Sequence, residues 1–177
     1  MSYNHLKKME KIGFFVTLFL GIILHFSYGF SNKAMWSILF GSVNESIWEH
    51  VKIFAMPYLF WTVITYARMR LPFRHFVVSK ILSLYVFIII SVSCLSLYTS
   101  IVGSISFVVE MIFISIAVAA AYMSSYKIII NFKNIDDFFV LSLFLLVLFL
   151  AMYICFSVAP PQIGLFRDAV TGHYGIR

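Results

Sequence analysis

Five long apolar stretches organise this chain, at roughly residues 12–30, 45–68, 76–98, 102–124 and 138–158. The first and the last contain no charged residue at all. A helix needs about 20 apolar residues to cross a bilayer. With short connections, 177 residues hold five such helices and no separate soluble domain. Composition leads to the same place. The chain is 62% hydrophobic and 11% charged, with a mean hydropathy of +0.98, whereas a soluble domain is about 25% charged. Thirteen basic and seven acidic residues cannot cover the surface of a soluble fold of this size. Eight glycines and two cysteines exclude collagen-like and disulfide-framework classes. The predicted fold is all-α: one integral membrane bundle of five transmembrane helices, followed by a polar tail over 159–177.

Local signals refine the spans. Lys7, Lys8 and Lys11 precede the first stretch, as they would a secretory signal, but the apolar run exceeds a signal core and predicts a retained helix. Residues 31–43, with Trp36 and Phe40, are too few to span and read as an interfacial segment. Ser42-Val43-Asn44-Glu45 fits a capping box, which predicts that the second helix starts there. Its charge-free part, 53–67, is 15 residues, roughly 22 Å of helix against a hydrocarbon core of about 30 Å. The polar first turns of this helix must therefore sit in or near the membrane. Pro57 lies in its interior and should kink it. Pro160-Pro161 ends the fifth span.

Lys and Arg set the orientation. With the N-terminus inside, Lys7, Lys8, Lys11, Arg68, Arg70, Arg74, Lys80, Lys127 and Lys133 face the cytoplasm, while Lys33, Arg167 and Arg177 lie outside and Lys52 lies in the second span. The expected location is the cell membrane, with the N-terminus in and the C-terminus out. The net charge of +6 then belongs to cytoplasmic loops and calls for no nucleic acid; the partner is the lipid bilayer.

This topology gathers costly polar residues near the outer end. His25 ends the first span, Glu45, Glu49, His50 and Lys52 open the second, and Glu110 lies two turns into the fourth. No comparable acid is expected in the inner half of any span. Ionisable groups inside a bilayer face a bundle interior or a wet cavity. Glu110 has only Ser106, Phe107, Phe113 and Ile114 as helical neighbours, so its partner must come from another span, with His25, His50 and Lys52 as candidates. On a continuous helix Glu45 and Glu49 share a face, and a Glu49–Lys52 ion pair follows from their spacing. Gly13, Thr17, Gly21, His25 and Tyr28 form a small-residue stripe suited to close helix packing. Cys94 and Cys155 fall at similar depth and read as buried apolar thiols.

Three roles fit these residues. Buried carboxylates and histidines can handle an ion, a proton or a small molecule. Glu45, Glu49, His25 and His50 are ligand types for a divalent metal, which would make an enzyme with an extracytoplasmic active site. Or the polar cluster only sets helix register in a non-catalytic partner or sensor protein. There is no G-x-S-x-G, P-loop, dinucleotide fingerprint or H-E-x-x-H, which favours the first role.

Residues 41–52, GSVNESIWEHVK, resemble the V-N-E-S-x-W-E-H-x-K signature of a family of small multipass bacterial membrane proteins of unknown function. Residues 160–176, PPQIGLFRDAVTGHYGI, resemble that family's closing P-P-x-x-P-L-F-x-D-P-x-T-G-x-Y-G-I. This chain departs at Gly164 and Ala169, where the family tends to have proline, which loosens two turns. The resemblance singles out Asn44, Glu45, Trp48, Glu49, His50 and Lys52, then Asp168, Thr171, Gly172, Tyr174 and Gly175. Both motifs fall outside in the predicted topology. The tail is therefore expected to fold over the bundle mouth, with His25, Glu45, Glu49, His50 and Glu110 as the floor of a pocket and Asp168 to Tyr174, including His173, as its lid. The alternative is a tail lying in the lipid headgroups.

Overall fold

The computed structural model describes residues 3–32, 34–103 and 106–176, so Lys33 and Arg177 lie outside the described residues. Among the described residues six α-helices follow one another: α1 Tyr3–Phe30, α2 Met35–Phe40, α3 Ile47–Met69, α4 Phe73–Val102, α5 Phe107–Asn131 and α6 Phe139–Val158. Single 3-10 turns at Asp136–Phe138 and Gly164–Phe166 precede and follow α6. Among the described residues four helices are long and apolar enough to cross a membrane: Asn4–Phe30, Phe73–Val102, Phe107–Asn131 and Asp136–Val158. α3, 23 residues long, is not one of them, because Glu49, His50 and Lys52 occupy its opening turns.

α3 is instead the core of the bundle. Its Val51, Ile53, Phe54, Ala55 and Tyr58 are at most 2% exposed, and they pack with Leu84, Phe87, Ile114, Val118 and Phe149 from α4, α5 and α6. The helix continues through Pro57. The outer surface inverts the soluble pattern. Phe15 and Phe19 on α1, Ile89 and Leu97 on α4, Ile112 and Ile116 on α5, and Val140, Phe144 and Val147 on α6 are exposed, while Thr17, Ser79, Ser83, Ser91, Ser125 and Ser157 are fully buried. Polar inside and apolar outside is what a hydrocarbon solvent selects.

The small-residue stripe on α1 is a packing surface. A side chain at Gly21 would collide with the Phe54 ring, and one at Gly13 with Trp61 and Tyr122. Between them Thr17 Oγ1 and Tyr122 OH are 2.7 Å apart. α1 is thus drawn against α3 and α5, and this aims His25 inward. The links are short, as expected for antiparallel neighbours. Arg70 closes α3 in the left-handed region, φ 50°, and Leu71-Pro72 leads into α4. At that end Leu6, Leu71 and Phe76 form a second, smaller apolar cluster with Tyr126 and Ile129.

Two sequence expectations need correction. The second helix does not start on a Ser42 capping box. Asn44 Oδ1 accepts from Ser46 N at 3.0 Å and Ser42 Oγ donates to Asn44 O at 2.7 Å, a local turn that competes with helix. The N-cap is Ser46, accepting from Glu49 N at 3.4 Å. Glu45 therefore stands in the preceding loop and shares no helix face with Glu49. Second, the end of the bundle opposite His25, expected to hold none, does hold a buried acid. Glu10 is 4% exposed and pairs with Lys80, which is fully buried. Lys80 is thus an internal charge and not a solvated cytoplasmic one.

Candidate functional site

His50 is the centre of the polar cluster. The Ser46 cap starts α3 four residues earlier, and His50 then faces α1 and α5. Its Nε2 is 3.1 Å from Glu45 Oε2 in the loop, and its Nδ1 contacts Glu110 Oε1 on α5. Both ring nitrogens are thus held by carboxylates. His25 on α1 completes the group: its Nε2 is 3.9 Å from Glu45 Oε1, and its ring lies 5.2 Å from that of His50. Three regions that are far apart in the chain meet here, around residue 25, residues 45–50 and residue 110. Glu110, which required a partner from another span, has one in His50.

Burial grades the cluster. His50 and Glu110 are buried, at 6% and 7% exposed, whereas the Glu45 side chain is 45% exposed. The hydrogen bond from His50 holds the Glu45 carboxyl below the ordinary carboxylate range, against the opposing effect of partial burial. A depressed value means that the Glu45–His50 contact contributes fully above the ordinary carboxylate pKa and fades as pH falls through the lowered one.

The exposed side opens into a cleft of about 480 Å³, lined by Glu45, His50, Glu110, Thr99, Arg167, Asp168 and Thr171 among others. A void of about 10 Å³ between His25, His50, Phe107 and Glu110 sits at the lower limit for a single water or ion.

The tail lies over this cleft. Ala169 N donates to Glu45 O at 3.2 Å, and Asn44 Nδ2 donates to Gly175 O at 3.1 Å. Asp168 organises the turn: its Oδ1 accepts from Val170 N at 2.8 Å and its Oδ2 from Thr171 Oγ1 at 2.7 Å. Trp48 anchors the tail from below, with its ring 5.7 Å from Phe166 and 5.3 Å from Phe156. His173 accepts from Asp168 N through its backbone carbonyl, and Tyr174 pairs with Arg167 in an isolated bridge. These two residues shape the turn and do not line the cleft.

Glu49 and Lys52 stand apart from the histidines. Successive helix positions point about 100° apart, so Glu49 turns away from His50. Its Oε2 is 2.7 Å from Lys52 Nζ and accepts from Val43 N at 3.0 Å. Lys52 Nζ also donates to Ser157 Oγ at 3.0 Å and Ile38 O at 3.2 Å. This pair ties α3 to α2, to α6 and to the loop that carries Glu45. Cys94 and Cys155 are free thiols, but Cys94 is half-buried and Cys155 exposed, so neither is the buried thiol expected.

A second polar centre escaped the sequence reading. Lys80 Nζ bonds both carboxylate oxygens of Glu10, at 2.6 and 2.7 Å. The rings of Tyr58, Phe76 and Tyr122 surround the ammonium at 5.6, 5.6 and 5.3 Å. Lys80 stands four residues inside an apolar stretch and so demanded an acid. Glu10 was obscured by Lys7, Lys8 and Lys11 around it.

A family model described as a family of unknown function (DUF6512) matches residues 1–176. The chain belongs to this family. Neither the curated proteins nor the solved structures gave a match. The match covers both motif segments and the bundle between them, so in this family member the cleft is part of the single matched unit. The family's description carries no activity, and a functional reading has to come from the donor atoms themselves.

Proposed function

We propose that the chain crosses the cell membrane five times, with α3 spanning beside the four long apolar helices and the N-terminus in the cytoplasm, and that its outer cleft handles an ion: a divalent metal held by His25, Glu45 and His50. The basic residues support the orientation. Lys7, Lys8, Lys11, Arg68, Arg70, Arg74, Lys127 and Lys133 fall at the end opposite the cleft.

The observation that carries the metal reading is how His50 is held. A metal-ligating imidazole presents one nitrogen to the ion and donates the other N–H to a carboxylate, which fixes tautomer and ring orientation. Glu110 takes that second position on Nδ1, leaving Nε2 directed at Glu45 and near His25. The donor atoms of His25, Glu45 and His50 lie within 4.8 Å of one another. Donors about 2.0–2.1 Å from a zinc ion are roughly 3.3 Å apart at tetrahedral angles. The His50–Glu45 spacing fits, and His25 has to close by up to about 1.5 Å, within reach of a side-chain adjustment. Two histidines and one carboxylate leave a fourth position, which faces the cleft, where a water or small polar ligand can bind beneath the Asp168 turn. Glu49, committed to Lys52 and Val43, is not a ligand in this reading.

Elemental analysis of the purified protein tests it. About one zinc-class ion per chain is expected, falling to background in His50→Ala and Glu45→Gln. Glu110→Gln, which touches no metal, should weaken affinity by about 10–100-fold. A wild-type protein that neither retains nor takes up zinc overturns the metal reading. The same geometry would then be read as a relay in which His50 passes a proton between two carboxylates, and proton flux into vesicles lost in Glu110→Gln would establish that instead.

A further inference from the structure

At the opposite end of the bundle a groove of about 500 Å³ runs between α1 and α5. Its body is apolar, built from Phe14, Phe15, Ala119 and Met123, and its rim carries Lys7, Lys11 and Lys127. Lys7 and Lys11 are one helical turn apart on α1, and Lys127 faces them from α5. All three are exposed. Among the described residues none of them forms an ion pair, and the one acid in the groove, Glu10, is already neutralised by Lys80. The groove therefore has an uncompensated charge of three at its mouth and an apolar floor beneath.

We propose that this groove is a binding site for an anionic phospholipid. The acyl chain lies along Phe14, Phe15 and Met123, and the headgroup phosphate sits among the three lysines. Charge complementarity selects the occupant. A zwitterionic lipid fills the apolar floor equally well but leaves three ammonium groups without a net counter-charge. Basic pockets between membrane helices on the cytoplasmic side recognise anionic headgroups in this way. The proposal is independent of the metal centre, which lies at the other end of the molecule.

Native mass spectrometry of the full chain in mild detergent, titrated with phosphatidylglycerol or phosphatidylcholine of matched acyl chains, tests it. Three lysines near a headgroup predict about a 100-fold preference for phosphatidylglycerol. Phosphatidylglycerol should also raise the unfolding temperature by about 5–10 °C more than phosphatidylcholine. Both differences should vanish in Lys7→Ala/Lys11→Ala/Lys127→Ala and persist in Lys133→Ala. Equal binding of the two lipids overturns the proposal. So does retention of the preference in the triple variant, its loss in Lys133→Ala, or the same stabilisation by inorganic phosphate alone. If the triple variant does not fold, the wild-type preference decides.

Discussion

Replacing Glu10 by alanine should destabilise the bundle by about 3–5 kcal/mol, the cost of leaving one partner of a buried ion pair uncompensated. Lys80 is fully buried, and its ammonium has both oxygens of Glu10 as its only acidic contacts among the described residues. The three surrounding rings attract a cation, but they cannot replace a carboxylate. Lys80→Met should cost less if Glu10 becomes protonated, since a neutral carboxyl is far cheaper to bury than a carboxylate. The double variant Glu10→Leu/Lys80→Met should recover most of the loss, because apolar replacement of both members of a buried pair is often neutral. Thermal unfolding of the wild type and these three variants in one detergent measures the losses and the recovery. A Glu10→Ala protein as stable as wild type would mean that Lys80 is hydrated in the membrane-embedded protein, and the pair would then not be the clamp it resembles. The pair joins α1 to α4 and its rings come from α3, α4 and α5, so the loss should be global.

Lys52→Ala should be the second large effect, again about 3–5 kcal/mol, and it should reach the proposed metal site without touching one of its proposed donors. Lys52 is fully buried, and its ammonium binds Glu49, Ser157 and Ile38 O. Without it the buried Glu49 carboxylate retains, among the described residues, only Val43 N. The 41–46 loop, which places Glu45, is then held by a charge that prefers to leave. Zinc affinity should fall together with stability, and limited proteolysis should open the 31–46 segment first. Glu49→Gln separates the two roles. It keeps the shape of the side chain and loses the ion pair, so it should destabilise the fold while His25, Glu45 and His50 still bind metal under folded conditions. Loss of metal from folded Glu49→Gln would show that Glu49 is itself a ligand and would revise the donor set.

Much of this molecule was legible from periodicity and charge. An apolar stretch as long as 138–158, with no charged residue, has few homes other than a helix in a hydrophobic solvent, and a link as short as that between α4 and α5 forces an antiparallel pair. The Gly13–Gly21 stripe announced a close helix contact because spacing alone sets which residues share a face. Glu110 announced a partner from another helix because nothing on its own helix could neutralise it. The Glu49–Lys52 pair followed from helix geometry, although its attachment to Ser157, 105 residues away, did not.

What spacing could not decide is where a helix begins when side chains compete with the backbone. The Asn44 turn delayed α3 to Ile47 and moved Glu45 from the face of Glu49 to the imidazole of His50, which redefined the candidate donor set. Nor could it decide which buried charge answers which. Glu10 and Lys80 are 70 residues apart, and each is locally unremarkable beside its basic or apolar neighbours. Secondary structure in these spans is dictated by local hydropathy and backbone satisfaction, which the sequence carries openly. The pairing of ionisable groups across helices depends on rotation and depth, which only the packed bundle sets.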